Sequence, residues 1–381
     1  MTESIFNSID SDPGFVDIPS NHIDIKVIGV GGGGVNAIDR LCALNVTGVS
    51  LVAVNTDRAS LAASAAPVRL CLGNGKGAGD KPEVARQSAE DSADEIAHLF
   101  DDNAKLVFIT ASMGGGTGTG AAPVVARLAH ERQLLTVGVV TIPFHFEGKN
   151  KIKKALLGAE EMSHHLDALI VINNQNLIDC YPDNTMRENF ALADDTLACA
   201  VKSISELVEK RGYWNIDLND VDTTLRGQGV ANISNGVGQG EHRVQQALDE
   251  ALRSPLLKNR DVYGASRLLI AVFTSPQEQY TLKGHEMQQL RDFKKKFRGE
   301  PEQITGWYYD DDLDDQVKVT VLAAGFSMSF NSEMDEPVYT ILTPEQMDDE
   351  GSIQHIEATP TLNRVREVDK AEKSSKKKIV F

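Results

Sequence analysis

Two glycine clusters carry the densest chemical signal in this chain. Gly29-Val30-Gly31-Gly32-Gly33-Gly34 fits G-x-G-x-x-G, and Gly114-Gly115-Gly116-Thr117-Gly118-Thr119-Gly120 is built of glycine and threonine alone. Glycine lets backbone N–H groups come close to an anion, and the threonine hydroxyls add donors. Each cluster follows an apolar run and precedes helical spacing, the context in which a helix N-terminus receives phosphate. With Asp57 lying 23 residues beyond Gly34, the first cluster matches a dinucleotide fingerprint to the letter. An NAD-dependent oxidoreductase is therefore one reading. Such an enzyme needs one loop, whereas two loops at neighbouring strand ends can grip a triphosphate from both sides. No G-x-x-x-x-G-K-[ST] occurs, which excludes a Walker-type site. A third candidate is Asn215-Ile216-Asp217-Leu218-Asn219-Asp220, where one helical turn would put Asp217 and Asp220 on one face. His164-His165 has no ligand-spaced neighbours and reads as packing histidine, so no protein-held metal is expected.

These residues need elements to hold them. IDIKVIGV from Ile23 reads as a strand, VNAIDRLCAL as a helix and VSLVAVNTD as a second strand. LVFITA (106–111), LLTVGVVTIPF and ALIVIN (168–173) read as buried strands. Helices are expected at 82–100, at 121–131 with Pro123 in the first turn, and at 149–166. The alternation predicts a parallel sheet covered by helices on both faces. Residues 190–210 read as one long helix, with Leu197, Val201, Ile204 and Val208 in a single stripe and a stop at Arg211-Gly212. After a Gly-rich stretch, a helix at about 240–253, strand 267–274, a helix at about 283–298 and the strands QITGWYYD and VKVTVLAAG form a further unit. The expected fold is α/β: a Rossmann-like domain with a parallel sheet, a long central helix and a second, smaller αβ domain.

GGGTGTG is the signature of the tubulin/FtsZ GTPases. SMGGGTGTGAAPVVA, GVGGGGVNAIDRL, AVNTD, GAGDKPEVAR, TIPFHFEG and SPLL also resemble segments of that family, in the family's order, across about residues 23–326. The resemblance implies GTP/GDP as ligand, with Mg²⁺ bound beside the nucleotide. It places Gly32, Gly33, Gly34 and Asn36 on the phosphates, and Gly116, Thr117 and Gly118 in the signature loop. Glu147 and Lys151 fall at the ribose, and Asp195 is the carboxylate that reads guanine, with Asn174 and Phe190 as lesser base contacts. Lys151 stands where the family commonly has Arg, which keeps the charge and loses the planar fork. Asn215, Asp217 and Asp220 fall on the loop that, in this family, enters the nucleotide site of the next subunit. Two carboxylates there would orient the attacking water. Asn219 departs from the small residue usual at its position.

The divisions implied are a flexible N-terminal extension (1–22), a GTP-binding domain (23–190), the central helix (191–214), a C-terminal activation domain (215–326), a linker (327–352) and a tail (353–381). The resemblance also implies a head-to-tail homopolymer, a cytokinetic ring at mid-cell on the inner face of the membrane, and a tail that meets membrane anchors and division proteins. Residues 356–364 only weakly resemble the family's docking peptide, and the end KAEKSSKKKIVF is basic. A related tubulin-like filament protein for DNA segregation or cell shape, and a scaffold without catalysis, are the remaining readings.

Composition bounds the rest. Lys and Arg number 38 against 55 Asp and Glu, a net charge of −17, which argues against a nucleic-acid coat or a generally basic membrane binder. The four cysteines form no C-x-x-C, against a zinc ribbon or thioredoxin-like motif. No apolar run reaches a membrane-spanning length and no signal-peptide pattern opens the chain, so a soluble cytoplasmic protein is expected.

Overall fold

The computed structural model describes residues 24–210, 212–253, 262–326, 328–330 and 339–341. Six strands build the N-terminal half: β1 (Ile25–Val30), β2 (Val49–Asn55), β3 (Val68–Cys71), β4 (Leu106–Ser112), β5 (Leu135–Ile142) and β6 (Ala168–Asn173). They run parallel in the order 3-2-1-4-5-6. Alternate residues of β1 feed two different cores: Ile28 and Val30 enter one, Ile25 and Val27 the other. A strand buried on both faces needs a largely apolar run, which IKVIGV supplies with the exception of Lys26, whose ammonium pairs with Asp102 at 2.6 Å.

The helices between these strands are α1 (Gly31–Ala43), α2 (Arg58–Ala63), α3 (Pro82–Asp91), α4 (Ala93–His98), α5 (Gly116–Glu131) and α6 (Lys149–Ser163). Ser92 divides the segment expected as one helix into α3 and α4. The glycine clusters are less loop-like than their composition suggests. Helix α1 begins at Gly31 and α5 at Gly116, so most of each cluster is the first turn of a helix. Pro123 consequently lies inside α5 rather than in its first turn.

Next come α7 (Asn174–Cys180) and α8 (Met186–Glu209). Helix α8 starts earlier than the apolar stripe indicates, because Thr185 and Glu188 form a capping box. Its end differs too. Lys210 is extended, and Gly212 opens the short strand β7 (Gly212–Trp214), where a Cβ would collide with the Trp307 carbonyl. That glycine permits close strand approach rather than a left-handed helix stop.

The second unit contains α9 (Leu218–Leu225), β8 (Gly229–Gly238), α10 (Arg243–Leu252), β9 (Arg267–Thr274), α11 (Gly284–Lys294), β10 (Glu302–Tyr309) and β11 (Val317–Ala324). Its sheet is mixed: β11 is antiparallel to β8 and β9, while β10 is parallel to β9 and antiparallel to β7. The two sheets join where Ala168 and Leu169 of β6 pair with Gly229 and Val230 of β8. In the stretch expected as a linker, Met328–Phe330 and Tyr339–Ile341 pair antiparallel. The expected N-terminal extension, the tail and the SPLL segment lie outside the described residues.

Candidate active site

In a sheet of order 3-2-1-4-5-6 the chain reverses its winding between β1 and β4, and ligands bind in the crevice beyond the carboxyl ends there. Both glycine clusters leave the sheet at that point. Val30 pairs with Ala111, so β1 and β4 end level and deliver the N-termini of α1 and α5 side by side. Packing is tight: a Cβ on Gly31 would lie 2.7 Å from the Gly118 nitrogen, and one on Gly118 would collide with the Ser112 carbonyl. Gly32 and Gly115, by contrast, face open space. Their unscreened backbone, and two helix dipoles aimed at one spot, make an anion cradle. Thr56 and Thr117 share a hydroxyl hydrogen bond of 2.7 Å, Thr141 donates to Ser112 Oγ at 2.8 Å, and Gly114 N donates to Thr119 Oγ1 at 2.8 Å. These contacts fix the walls.

The cradle opens into a cleft of about 460 Å³ that reaches Pro143, Glu147, Lys151, Asn174, Phe190 and Asp194. Glu147 Oε1 accepts from Phe144 N at 2.9 Å, and its other oxygen pairs with Lys151 Nζ at 2.6 Å. The far end suits a planar base. Phe190 is 44% exposed and packs edge-on against Phe144, with ring centroids 5.0 Å apart. Asn174 is buried, and its Oδ1 has no hydrogen-bond partner among the described residues. Burial pushes the Asp194 carboxyl up to about 6, against the opposing effect of a 3.3 Å hydrogen bond from Asn36 Nδ2; the neighbouring Asp195 charge adds a further upward push. Asn174 and Asp194, two acceptors short of donors, line the same cleft as Phe190, and guanine presents an N–H and an NH₂ on one edge.

Three comparisons with known proteins point to one family. The Tubulin/FtsZ family GTPase-domain model matches residues 24–182, and the FtsZ family C-terminal-domain model matches 229–327. The chain is 46% identical to the cell division protein FtsZ of Porphyromonas gingivalis over 314 residues, 81% of this chain and 68% of that one. It is 39% identical to that of Aquifex aeolicus over 80% of this chain and 84% of the relative. Among solved structures, an empty FtsZ dimer from M. jannaschii superposes with a TM-score of 0.72 at 36% identity, covering 79% of this chain and 88% of that chain. The chain belongs to the FtsZ family of tubulin-like GTPases.

Most of the expected FtsZ-type site residues converge on the cleft: Gly32, Gly33, Asn36, Gly116, Thr117, Gly118, Glu147 and Lys151 all line it. Two do not. Gly34 faces inward, where a Cβ would lie 2.5 Å from the Thr110 carbonyl and 2.9 Å from Gly29 C, so its smallness serves helix–strand packing. Asp195 points off the cleft and pairs with Arg40 at 2.5 Å, and the carboxylate lining the cleft is Asp194. Helix phase explains the difference: Phe190 and Asp194 are i and i+4 on one face of α8, whereas Asp195 lies about 100° round with Cys199. The spacing from Phe190 was the available signal. Asp57, the residue behind the dinucleotide reading, caps α2 by accepting from Ala59 N at 2.9 Å. Ser112 and Thr141 are wall residues that motif reading missed, because single hydroxyls at strand ends carry no spacing pattern.

The acidic segment is far from this cleft. Asp217 caps α9 and Asp220 is its third residue. Each carboxylate accepts the other's backbone N–H, at 2.9 Å and 3.0 Å, in a reciprocal capping box. The helix dipole offsets the repulsion of the paired charges, and one oxygen of each carboxylate has no partner among the described residues. Asn215 Oδ1 is engaged locally, accepting from Gly212 N at 2.6 Å. Helix α8 separates the two places. Phe190 and Asp194 line the cleft near its N-terminal end, and Ile216 lies beside Leu207 near its C-terminal end, held through Tyr308. At 1.5 Å per residue, Phe190 to Glu209 spans about 28 Å.

Proposed function

We propose that this chain assembles head to tail and that each contact completes one GTP-hydrolysing site. The cradle and base pocket come from one subunit, and Asp217 and Asp220 from the next. The observation that carries this reading is the separation along α8: the paired carboxylates are too far from the cleft of their own subunit to touch a nucleotide there. A heterologous contact of this kind does not close and generates filaments.

In the assembled site Gly32, Gly33 and the N-terminus of α5 hold the phosphates. Asp194 and Asn174 accept from the guanine edge, Phe190 packs on the base, and Glu147 with Lys151 borders the ribose. The free oxygens of Asp217 and Asp220 orient the attacking water and accept its proton. Mg²⁺ bound with the nucleotide would supply charge neutralisation beside the phosphates held by Gly32, Gly33 and the N-terminus of α5. The relatives are cell division proteins, and the filament is accordingly assigned to a ring at the mid-cell division site on the inner face of the membrane. Residues 353–381 would join that ring to a membrane anchor and other division proteins.

The test is phosphate release with GTP and Mg²⁺ as a function of protein concentration, with light scattering recorded alongside. Turnover per molecule should be near zero below a threshold and rise with scattering. Turnover independent of concentration would mean a self-contained site and would refute the shared one.

A further inference from the structure

Tyr308 lies wholly buried on β10, next to neither the nucleotide cleft nor the solvent. Its ring stacks on Phe273 with centroids 5.0 Å apart. Its hydroxyl does two things at once: it donates to the Leu207 carbonyl at 2.7 Å and accepts from Ile216 N at 2.8 Å. Leu207 is in the last turn of α8, where carbonyls lack intrahelical partners. Ile216 immediately precedes Asp217. One phenol oxygen thus joins the end of the long helix to the residue next to the acidic capping box. The surroundings are shaped for this. A Cβ on Gly306 would meet Ile216 Cδ1 at 2.6 Å and Tyr308 Cε2 at 2.8 Å, so glycine leaves room for both side chains. Burial raises the phenol to about 12, so it remains a donor at physiological pH.

We propose that Tyr308 is a positioning residue for hydrolysis: its hydroxyl fixes the backbone at Ile216 and thereby sets where Asp217 and Asp220 are presented to the neighbouring subunit. The proposal rests on the shared-site reading above. Without the hydroxyl the acidic turn keeps the β7 pairing, the Asn215 contact, the box itself and the core packing of Ile216, Val221 and Leu225. The Asn215 contact and the box are local to the turn, β7 pairs with β10, and none of these hydrogen bonds reaches α8. Carboxylates that act across an interface tolerate little displacement, since a misplacement of about 1 Å can cost roughly a hundredfold in rate.

Tyr308→Phe keeps the ring stack and removes both hydrogen bonds. The expected result is fluorescent-GDP affinity within about twofold of wild type, retained assembly by scattering, and turnover per assembled subunit lowered about tenfold or more. In an Asp217→Asn background the same change should cost nothing further, because the group it positions is already disabled. Additive losses, or full turnover in Tyr308→Phe, would overturn the proposal while leaving the shared site standing. Wild-type turnover in Asp217→Asn would overturn the shared site and the clamp with it. Hydrogen exchange on the unmodified protein tests the same bond without a variant. The Ile216 amide should be among the protected amides of its segment, and exchange as fast as that of its exposed neighbours would refute the clamp.

Discussion

Replacing Asp194 by Asn separates the two candidate guanine readers and does so with a pH signature. The carboxyl sits at about 6 because it is desolvated. Guanine donors favour the ionised form, so binding should draw the proton off. If the bound-state value lies below 5, then at pH 5 only about one cleft in eleven carries the charge, and affinity falls about tenfold from its plateau above pH 7. The nucleotide's terminal phosphate also titrates near 6, so the diagnostic quantity is the difference between wild type and Asp194→Asn. At pH 7.5 the variant should bind fluorescent GDP more weakly by about 1.5–3 kcal/mol, roughly 10- to 150-fold, as a charged hydrogen-bond acceptor is lost. It should keep only the phosphate-derived slope. The ligand-free protein should respond in the opposite sense. A carboxyl whose folded value exceeds its unfolded one stabilises the fold at low pH and loses that contribution as pH rises from about 4 to 6. Asp194→Asn should therefore melt higher than wild type at pH 7.5, by about 1–2 kcal/mol after allowance for partial exposure. Equal pH slopes in the two proteins, or a tenfold loss of affinity in Asp195→Asn instead, would refute the assignment.

Asp217→Asn and Asp220→Asn should each retain GTP binding and lower turnover by roughly 10²–10⁴, measured as phosphate release at saturating protein. Gly118→Ala should reduce the melting temperature, because its methyl meets the Ser112 carbonyl. Gly32→Ala faces open space and should leave melting unchanged while weakening GDP binding. Burial, with Glu161 alongside, lifts Glu160 to about 7. Glu160→Gln should accordingly raise stability at pH 8 and have little effect at pH 5, read by thermal melts at both. Deleting 353–381 should spare GTPase activity and abolish recruitment to anchor-bearing membranes, scored by vesicle sedimentation.

How legible the molecule was depended on whether a residue's role is written in period or in partner. The buried strands announced themselves through apolar stretches: 168–173 and 267–274 fall on β6 and β9 to the residue. Strand β8 did not, because Gly236 and Gly238 interrupt its pattern. A Cβ at either would collide with the backbone of α10, so the glycines that hide the strand exist to let the helix lie on it. The acidic segment showed two carboxylates but not their capping box, which depends on where the chain turns after β7. The choice between Asp194 and Asp195 turned on helix phase alone. Tyr308 carried no signal at all, since its partners are backbone groups about ninety and a hundred residues away.

The length of α8 has a consequence for any chain of such subunits. If every contact supplies carboxylates to one cleft, a row of n subunits contains n − 1 working sites. One end bears a filled cleft that nothing attacks, and the other bears an acidic pair with nothing to act on. Hydrolysis at a terminal subunit then waits for the next arrival, and each addition starts a clock on the nucleotide it covers. Position along the row becomes a record of age, written as the ratio of GTP to GDP, and the two ends must differ in how readily they gain and lose subunits.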